Sequence, residues 1–383
     1  MDHIADHVGI DRVEVRRRNL IRADQIPFAM VCGGTVDSGE MPELMEEALS
    51  RADHDGFAAR KADSAARGKL RGFGFGMYLE QCGGGTDGGV DVRFREDGTI
   101  LVLAAQQDNG QGHRTTLTQI LSDRLGYDAD KIEILQGDSA MTPPGTTGGA
   151  RMTTILGSAV AEVAAKTIAT GMPYAAEALD CEADEVIFAD GLFSAPGTNR
   201  SITIEDLALR LVPDDGGHPF DIKHQYTTDG ATYPYGCHVV ELEVDPGTCK
   251  VDLLRYTVVD DFGSVINPLT LAGQIHGGIA QGIGQAIHEY AAFDAQGQLV
   301  AGSLMDYALP RASDLPAFDI HFRNIPCENN LLGVKGSGEA GAIGAPQAVI
   351  SALTDALGVA HIDMPATPQA IWEALNGQKE AAE

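Results

Sequence analysis

Four short segments of this 383-residue chain combine glycine with groups that can donate, accept or carry a proton. Gly110-Gln111-Gly112-His113 falls between a strand pattern and a helix pattern. Free amides at a helix start suit an anion, and the Gln111 amide can both donate and accept. Gly148-Gly149-Ala150-Arg151-Met152-Thr153-Thr154 again precedes a helix pattern. Hydroxyls, free amides and one arginine suit a pyrophosphate group; the plainer reading is a helix cap beside a solvated arginine. Gln274, Gln281 and Gln285 share one face of a helix expected over 271–291, while Ile275, Ile279, Ile283 and Ile287 recur at i+4 and should face the core. A glutamine face on an apolar helix suggests a buried polar partner such as a heterocycle, or a polar interface between lobes. The fourth segment is Lys335-Gly336-Ser337-Gly338-Glu339-Ala340-Gly341. Residues 336–341 fit the dinucleotide pattern G-x-G-x-x-G, but that pattern has to open a complete βαβ unit. Asp363 is a plausible distance away, yet only about twenty residues follow it. A lone carboxylate in a glycine loop can instead enter a dry pocket and act as a base, or simply rest in solvent.

Other chemistries find less support. His113, His238, His276 and His288 lack metal-ligand spacing, and no metal-ligating set is expected. The six cysteines form no C-x-x-C pair. Scattered thiols suit a reducing compartment, so a cytoplasmic location is expected. The formal charge of −28 repels nucleic acid and anionic lipid. The N-terminus carries no signal-peptide pattern. The long hydrophobic stretch Leu269–Tyr290 holds too many polar groups for a membrane span. An apolar content of 44% excludes disorder of the whole chain.

The elements that must position these loops follow from periodicity. Two short helices open the chain, the first stopped at Gly9 and the second capped by Asp11. A helix from Pro42 to about Ala52 and an Ala/Lys/Arg-rich connector over 56–69 lead to the glycine-rich GFGFGMYLEQCGGGTDGG. VDVRFR and TILVLAA form a hairpin about Glu96-Asp97-Gly98. A helix marked by Leu117, Ile120, Leu121 and Leu125, a strand at KIEILQG and an Ala-rich helix over about 157–170 follow. Residues 181–235, including VPDDGGHPF, read as a peripheral excursion. A second hairpin turns at Asp245-Pro246-Gly247, and a last helix runs from Pro346 to about Leu357. The expected fold is α+β with two interlocked lobes. Residues 1–66 would form a helical segment and 67–383 a second domain, with lobes of about 67–230 and 231–383.

Taken as an ordered set, GQGH, GGARMTT, YGCHVVELEVDP, INPLTLAGQIHGGIAQGIGQAI, SLMDYALPRASDLP and GVKGSGEAGAIGAP resemble the molybdopterin-binding large subunit of the xanthine dehydrogenase/aldehyde oxidase family. The aerobic carbon monoxide dehydrogenase large subunit and its relatives are the nearest branch. The resemblance covers most of the chain and implies a molybdenum hydroxylase that oxidises a small molecule with water as oxygen source. The implied cofactor is molybdenum on a pterin dinucleotide, usually the cytosine form in bacteria. Glu339 matches the family's catalytic base. Gly110, Gln111, Gly112 and His113 match a loop near the metal centre, and Ala150, Arg151, Met152, Thr153 and Thr154 a loop that contacts pterin and phosphate. Ala150 and Met152 stand where relatives often have serine. Gln274 matches a pterin-contacting glutamine, and Lys335 and Gly338 belong to the Glu339 loop. Family large subunits are longer, so the chain reads as a truncated fragment or one piece of a split subunit. The implied partners are the missing N-terminal half, [2Fe-2S] and FAD subunits, and a dimer of heterotrimers in the complete enzyme. The isolated chain is expected to lack the cofactor and to be inactive.

Overall fold

The computed structural model describes residues 1–83, 85, 87–211 and 217–382; residues 84 and 86 of the glycine-rich run, and 212–216 within VPDDGGHPF, lie outside them. The chain opens with Asp2–Val8 (α1), Arg12–Arg17 (α2) and a small ribbon, Phe28–Ala29 (β1) against Thr35–Val36 (β2). Gly9 closes α1 in the left-handed conformation, and the Asp11 carboxylate accepts from the amides of Val13 and Glu14. Met41–Arg51 (α3) follows. The expected connector is instead largely a helix, Phe57–Ala66 (α4). Its signal is tertiary: Arg60 donates to buried Glu241, and the Ser64 hydroxyl to Glu243.

The front of the glycine-rich run is a strand, Leu70–Leu79 (β3). Strand alternation puts Gly72, Gly74 and Gly76 on one face and Phe73, Phe75 and Met77 on the other. The phenylalanines pack with Leu44, Met45 and Ala48 of α3. The glycine face is a track for a helix described below.

Asp87–Phe94 (β4) and Ile100–Ala104 (β5) form the expected first hairpin. His113–Leu125 (α5) crosses over to Ile132–Gln136 (β6), which pairs parallel to β5. A π-helical turn, Thr153–Gly157, runs into Ser158–Leu179 (α6), nine residues beyond the expected end. Thr153–Leu179 is long and apolar enough to cross a membrane, but 61% of its most apolar window is buried against this protein's own core. The excursion holds a three-stranded sheet, Ile187–Ala189 (β7), Leu192–Ser194 (β8) and Ser201–Thr203 (β9), then Ile204–Arg210 (α7). Ile222–Thr227 (β10) returns to pair with β4, so the first large sheet runs β10-β4-β5-β6.

Tyr235–Val244 (β11) and Val251–Asp261 (β12) form the second hairpin, with a register shift at Glu241/Leu242. Pro268–Ile287 (α8), Phe318–Arg323 (β13), Ala340–Leu357 (α9) and Pro368–Ala382 (α10) complete the chain. The second sheet runs β13-β12-β11-β3. The two hairpins therefore lie in different sheets, and the fold is α+β. β3 belongs to the second sheet although it falls within the expected first lobe, because its alternating pattern pairs along the whole of β11. Thus the chain passes from the second sheet to the first and back.

Two helices stack on the glycine track. A Cβ at Gly72 or Gly74 would overlap backbone atoms of Ala352 in α9. On its far side, α9 meets α8 just as closely: a Cβ at Gly278 would lie 2.9 Å from the Gly341 Cα. Ile275, Ile279, Ile283 and Ile287 of α8 are buried as their spacing requires. Each contributes roughly 1.5–3 kcal/mol of burial.

Candidate cofactor site

The loop before α9 is fixed at its root by charge. Lys335 donates its amide to the Phe262 carbonyl at 2.8 Å. Its ammonium makes a fully buried ion pair with Asp261 at 2.6 Å and lies over the Tyr235 ring. The Ser38 carbonyl is 3.3 Å away, so the N-terminal segment also braces the loop. Gly336 then passes where no side chain fits: its Cβ would overlap the Ala150 carbonyl oxygen and lie 2.5 Å from the Cys82 sulfur. Glu339 occupies the cap position of α9 and is exposed in this chain.

The Gln111 loop is held by a residue that sequence reasoning passed over. Asp108 accepts from the amides of Gly110 and Arg114. Burial raises its pKa, but these amides outweigh burial and hold it below the ordinary value. The Gln111 carbonyl oxygen accepts from the Asn109 amide, which leaves its NH2 group as a donor. Gly112, at φ 80°, caps α5. Burial depresses the pKa of His113, against a smaller pull from Asp108, so a neutral imidazole is favoured at pH 7.

In the third loop Gly149 and Ala150 both adopt positive φ, 61° and 49°. For alanine this is an uncommon, strained conformation. It places the Ala150 Cβ where a side chain at Gly338 would meet it at 3.5 Å. Thr153 opens the π-helical turn, a feature frequent at functional sites. Arg151 donates to the Thr146 hydroxyl at 3.1 Å; among the described residues its buried Nε has no partner, nor does the buried Thr154 hydroxyl.

These loops meet at one cleft of about 240 Å³. It is lined by Gln111, His113, Ala150, Met152, Thr153, Gln274, Lys335, Gly338 and Glu339 from the expected set, joined by Thr147, Gly148, Gly336 and Ser337. An adjoining cleft of about 70 Å³ shares Gln111, Thr153, Gln274, Lys335 and Ser337 and adds Thr116, Ser264, Asn267 and Thr270. Gly110, Gly112, Arg151 and Thr154 do not line the main cleft: the glycines shape the α5 cap, Arg151 turns to Thr146, and Thr154 is buried behind it. Gln281 and Gln285 are exposed on α8 and take no part, because only the first turns of that helix reach the cleft. Lys335 borders the cleft, but Asp261 already neutralises its charge, so it anchors the loop rather than offering a cation to phosphate. The dinucleotide pattern fails for the expected reason: α9 is followed by α10 with no strand between them.

The starts of four helical runs converge here, at Gly112, Thr153, Asn267 and Glu339. Helix N-termini present free amides and the positive end of the helix dipole. Asn267 caps α8 through the Thr270 amide and donates to Gln119 of α5, locking two of these starts together.

The molybdopterin cofactor-binding domain family matches residues 47–316. The chain belongs to that family. It is 30% identical over 98% of its length to the carbon monoxide dehydrogenase large chain of Hydrogenophaga pseudoflava, and covers 49% of that protein. Against subunit gamma of the 6-hydroxypseudooxynicotine dehydrogenase complex of Paenarthrobacter nicotinovorans it is 31% identical, again over 98% of this chain and 49% of the relative. Among solved structures, the Cu,Mo-CO dehydrogenase in its carbon monoxide reduced state superposes with a TM-score of 0.91 at 27% identity, covering 99% of this chain and 51% of that one. Quinoline 2-oxidoreductase from Pseudomonas putida 86 gives 0.89 at 29%, covering 98% and 50%. The chain thus spans about half the length of the curated relatives it matches.

The residues present fit such a group. A pterin needs flat space and neutral donors; the Gly148, Ala150, Gly336 and Gly338 walls and the Gln111, Gln274, Thr153 and Ser337 side chains offer both. A pyrophosphate needs amides and a positive field, which the helix starts supply.

Proposed function

We propose that this chain is the C-terminal, molybdopterin-binding part of a molybdenum hydroxylase large subunit, with Glu339 as its base. The convergence of four helix starts beside one exposed carboxylate supports this reading best. When bound, the cofactor would supply two-electron oxidation of a carbon centre, with water as oxygen source. Gln111, Ala150, Met152, Thr153 and Gln274 would hold the pterin, in its cytosine dinucleotide form. The helix start at Asn267 would face its phosphates. Glu339 would take up the proton released as the new carbon–oxygen bond forms.

The substrate class is small and electrophilic: an aldehyde, an N-heterocycle, carbon monoxide or an acyl-CoA. Electrons would leave through [2Fe-2S] and FAD subunits, in a dimer of heterotrimers located in the cytoplasm. The test is to assemble the chain with the adjoining half and partner subunits, then assay molybdenum, pterin and turnover on those four classes. Glu339→Gln should retain the metal and lose roughly 10²–10⁴-fold in turnover. Wild-type turnover in a metal-replete variant would remove Glu339 from the mechanism, and an assembly without molybdenum would overturn the reading.

A further inference from the structure

Behind Glu339 lies a second carboxyl group that the proposed chemistry does not use. β3 continues past Leu79 as an extended arm: the Glu80 amide donates to the Pro234 carbonyl at 3.0 Å, and Cys82 and Thr232 exchange both backbone hydrogen bonds. Thr232 in turn accepts from the Gly336 amide at 3.2 Å through its hydroxyl. The missing side chain of Gly336 lets the Glu339 loop settle onto Cys82. This seam brings the Glu80 carboxyl within hydrogen-bonding range of the Glu339 carboxyl.

The contact raises a chemical problem. Glu80 Oε2 is buried, and no donor among the described residues reaches it. No cation pairs with Glu80 among the described residues; the groups that interact with it are Glu339 from the loop, and Cys82 and Tyr78 from its own strand. Two carboxylates cannot hydrogen-bond to each other, since both only accept. One proton placed between them converts repulsion into a short, charge-assisted bond. The more enclosed member keeps that proton, because desolvation penalises its charged form most. Burial first, then the Glu339 charge, lift Glu80 from the ordinary 4.5 to about 8, against a smaller lowering by the Cys82 thiol.

We propose that Glu80 is a positioning residue for Glu339: its protonated carboxyl donates a hydrogen bond to the Glu339 carboxylate and aims the ionised base into the cleft. The positioning role rests on Glu339 being the base; the shared proton does not.

Difference infrared titration of the full chain separates the two. The wild type should show a protonated-carboxyl stretch at neutral pH that titrates away near pH 8. Glu80→Gln should abolish it. Glu339→Gln should keep it but shift its midpoint to lower pH, since the neighbouring charge is gone. No stretch removed by Glu80→Gln, or a midpoint unmoved by Glu339→Gln, would overturn the pair. In the cofactor-replete enzyme, Glu80→Ala should lower kcat by about 10–100-fold with little change in KM, the usual range for a lost supporting partner. Glu80→Gln should recover much of that loss, because its amide still donates, and should remove the fall in rate on the alkaline side. Full turnover in Glu80→Ala would overturn the positioning role. Wild-type turnover in Glu339→Gln with the infrared pair intact would instead refute the base and leave the pair standing.

Discussion

Lys335 and Glu339 share one loop but do opposite things with charge. The Lys335 ammonium and the Asp261 carboxylate are both fully buried, and Asp261 also accepts from the amides of Gly263 and Ile325. Removing one partner of such a pair leaves the other charge buried without compensation, which costs about 3–5 kcal/mol. Lys335→Met should lower unfolding free energy by that order in urea, and Asp261→Asn added to it should recover part of the loss. A neutral result for Lys335→Met alone would show that the pair does not anchor the loop. Glu80 gives the pH dependence its sign. Its folded-state pKa is raised, so the native chain holds a proton that the unfolded chain releases above about pH 4.5. Stability should therefore fall as pH rises from about 4.5 to about 8, then level off. Glu80→Gln should flatten that part of the profile, as denaturant midpoints on either side of the window would report.

At the scale of elements, the site depends on how deeply α9 sinks onto β3. At Gly74 a Cβ would overlap the Ala348 carbonyl and the Ala352 amide nitrogen of α9. Both are backbone atoms, so the helix as a whole must move. Overpacking of this kind costs typically about 1–3 kcal/mol. Because α9 begins one residue after Glu339, Gly74→Val should lower both thermal stability and cofactor content. Gly230→Ala has nothing within 4 Å of its added Cβ and should stay within about 0.5 kcal/mol of wild type. Much of this layering was readable from the residues. The isoleucine spacing announced the buried face of α8, and the turn residues announced both hairpins. The helix that packs on α8 was not readable, because it is α9, some sixty residues away in sequence. β3 was missed since its alternate glycines erase the usual apolar signal, and α4 since its partners lie on β11. Within the site, loop order and residue type marked Gln111, Thr153, Gln274 and Glu339. The fate of Lys335 and the Glu80 contact depend on strand pairing, which no local pattern encodes.

For the whole molecule, the decisive fact is that the cleft is open. Glu339 is exposed, and large apolar side chains face outward at both ends of α8: Leu269, 83% exposed, at its start beside the cleft, and Leu304 (80%) and Met305 (97%) by His288 at its other end. Exposed apolar surface on this scale marks a contact with something else. The curated relatives are about twice as long as this chain, and we propose that an adjoining half covers this face and completes the cofactor's contacts. A buried pyrophosphate that lacks part of its donors loses roughly 1–3 kcal/mol for each bond left unmade. With several bonds missing, affinity falls by orders of magnitude, since each 1.4 kcal/mol is about tenfold. The isolated chain should therefore purify folded, with the secondary structure described here, but with little or no molybdenum by elemental analysis. Supplying the adjoining half in trans should restore both metal and pterin, and should protect amides around Leu304 and Met305 from hydrogen exchange. Stoichiometric molybdenum on the lone chain would show that the four helix starts suffice to hold the cofactor. An unfolded lone chain would show that the adjoining half is needed for folding before it is needed for chemistry.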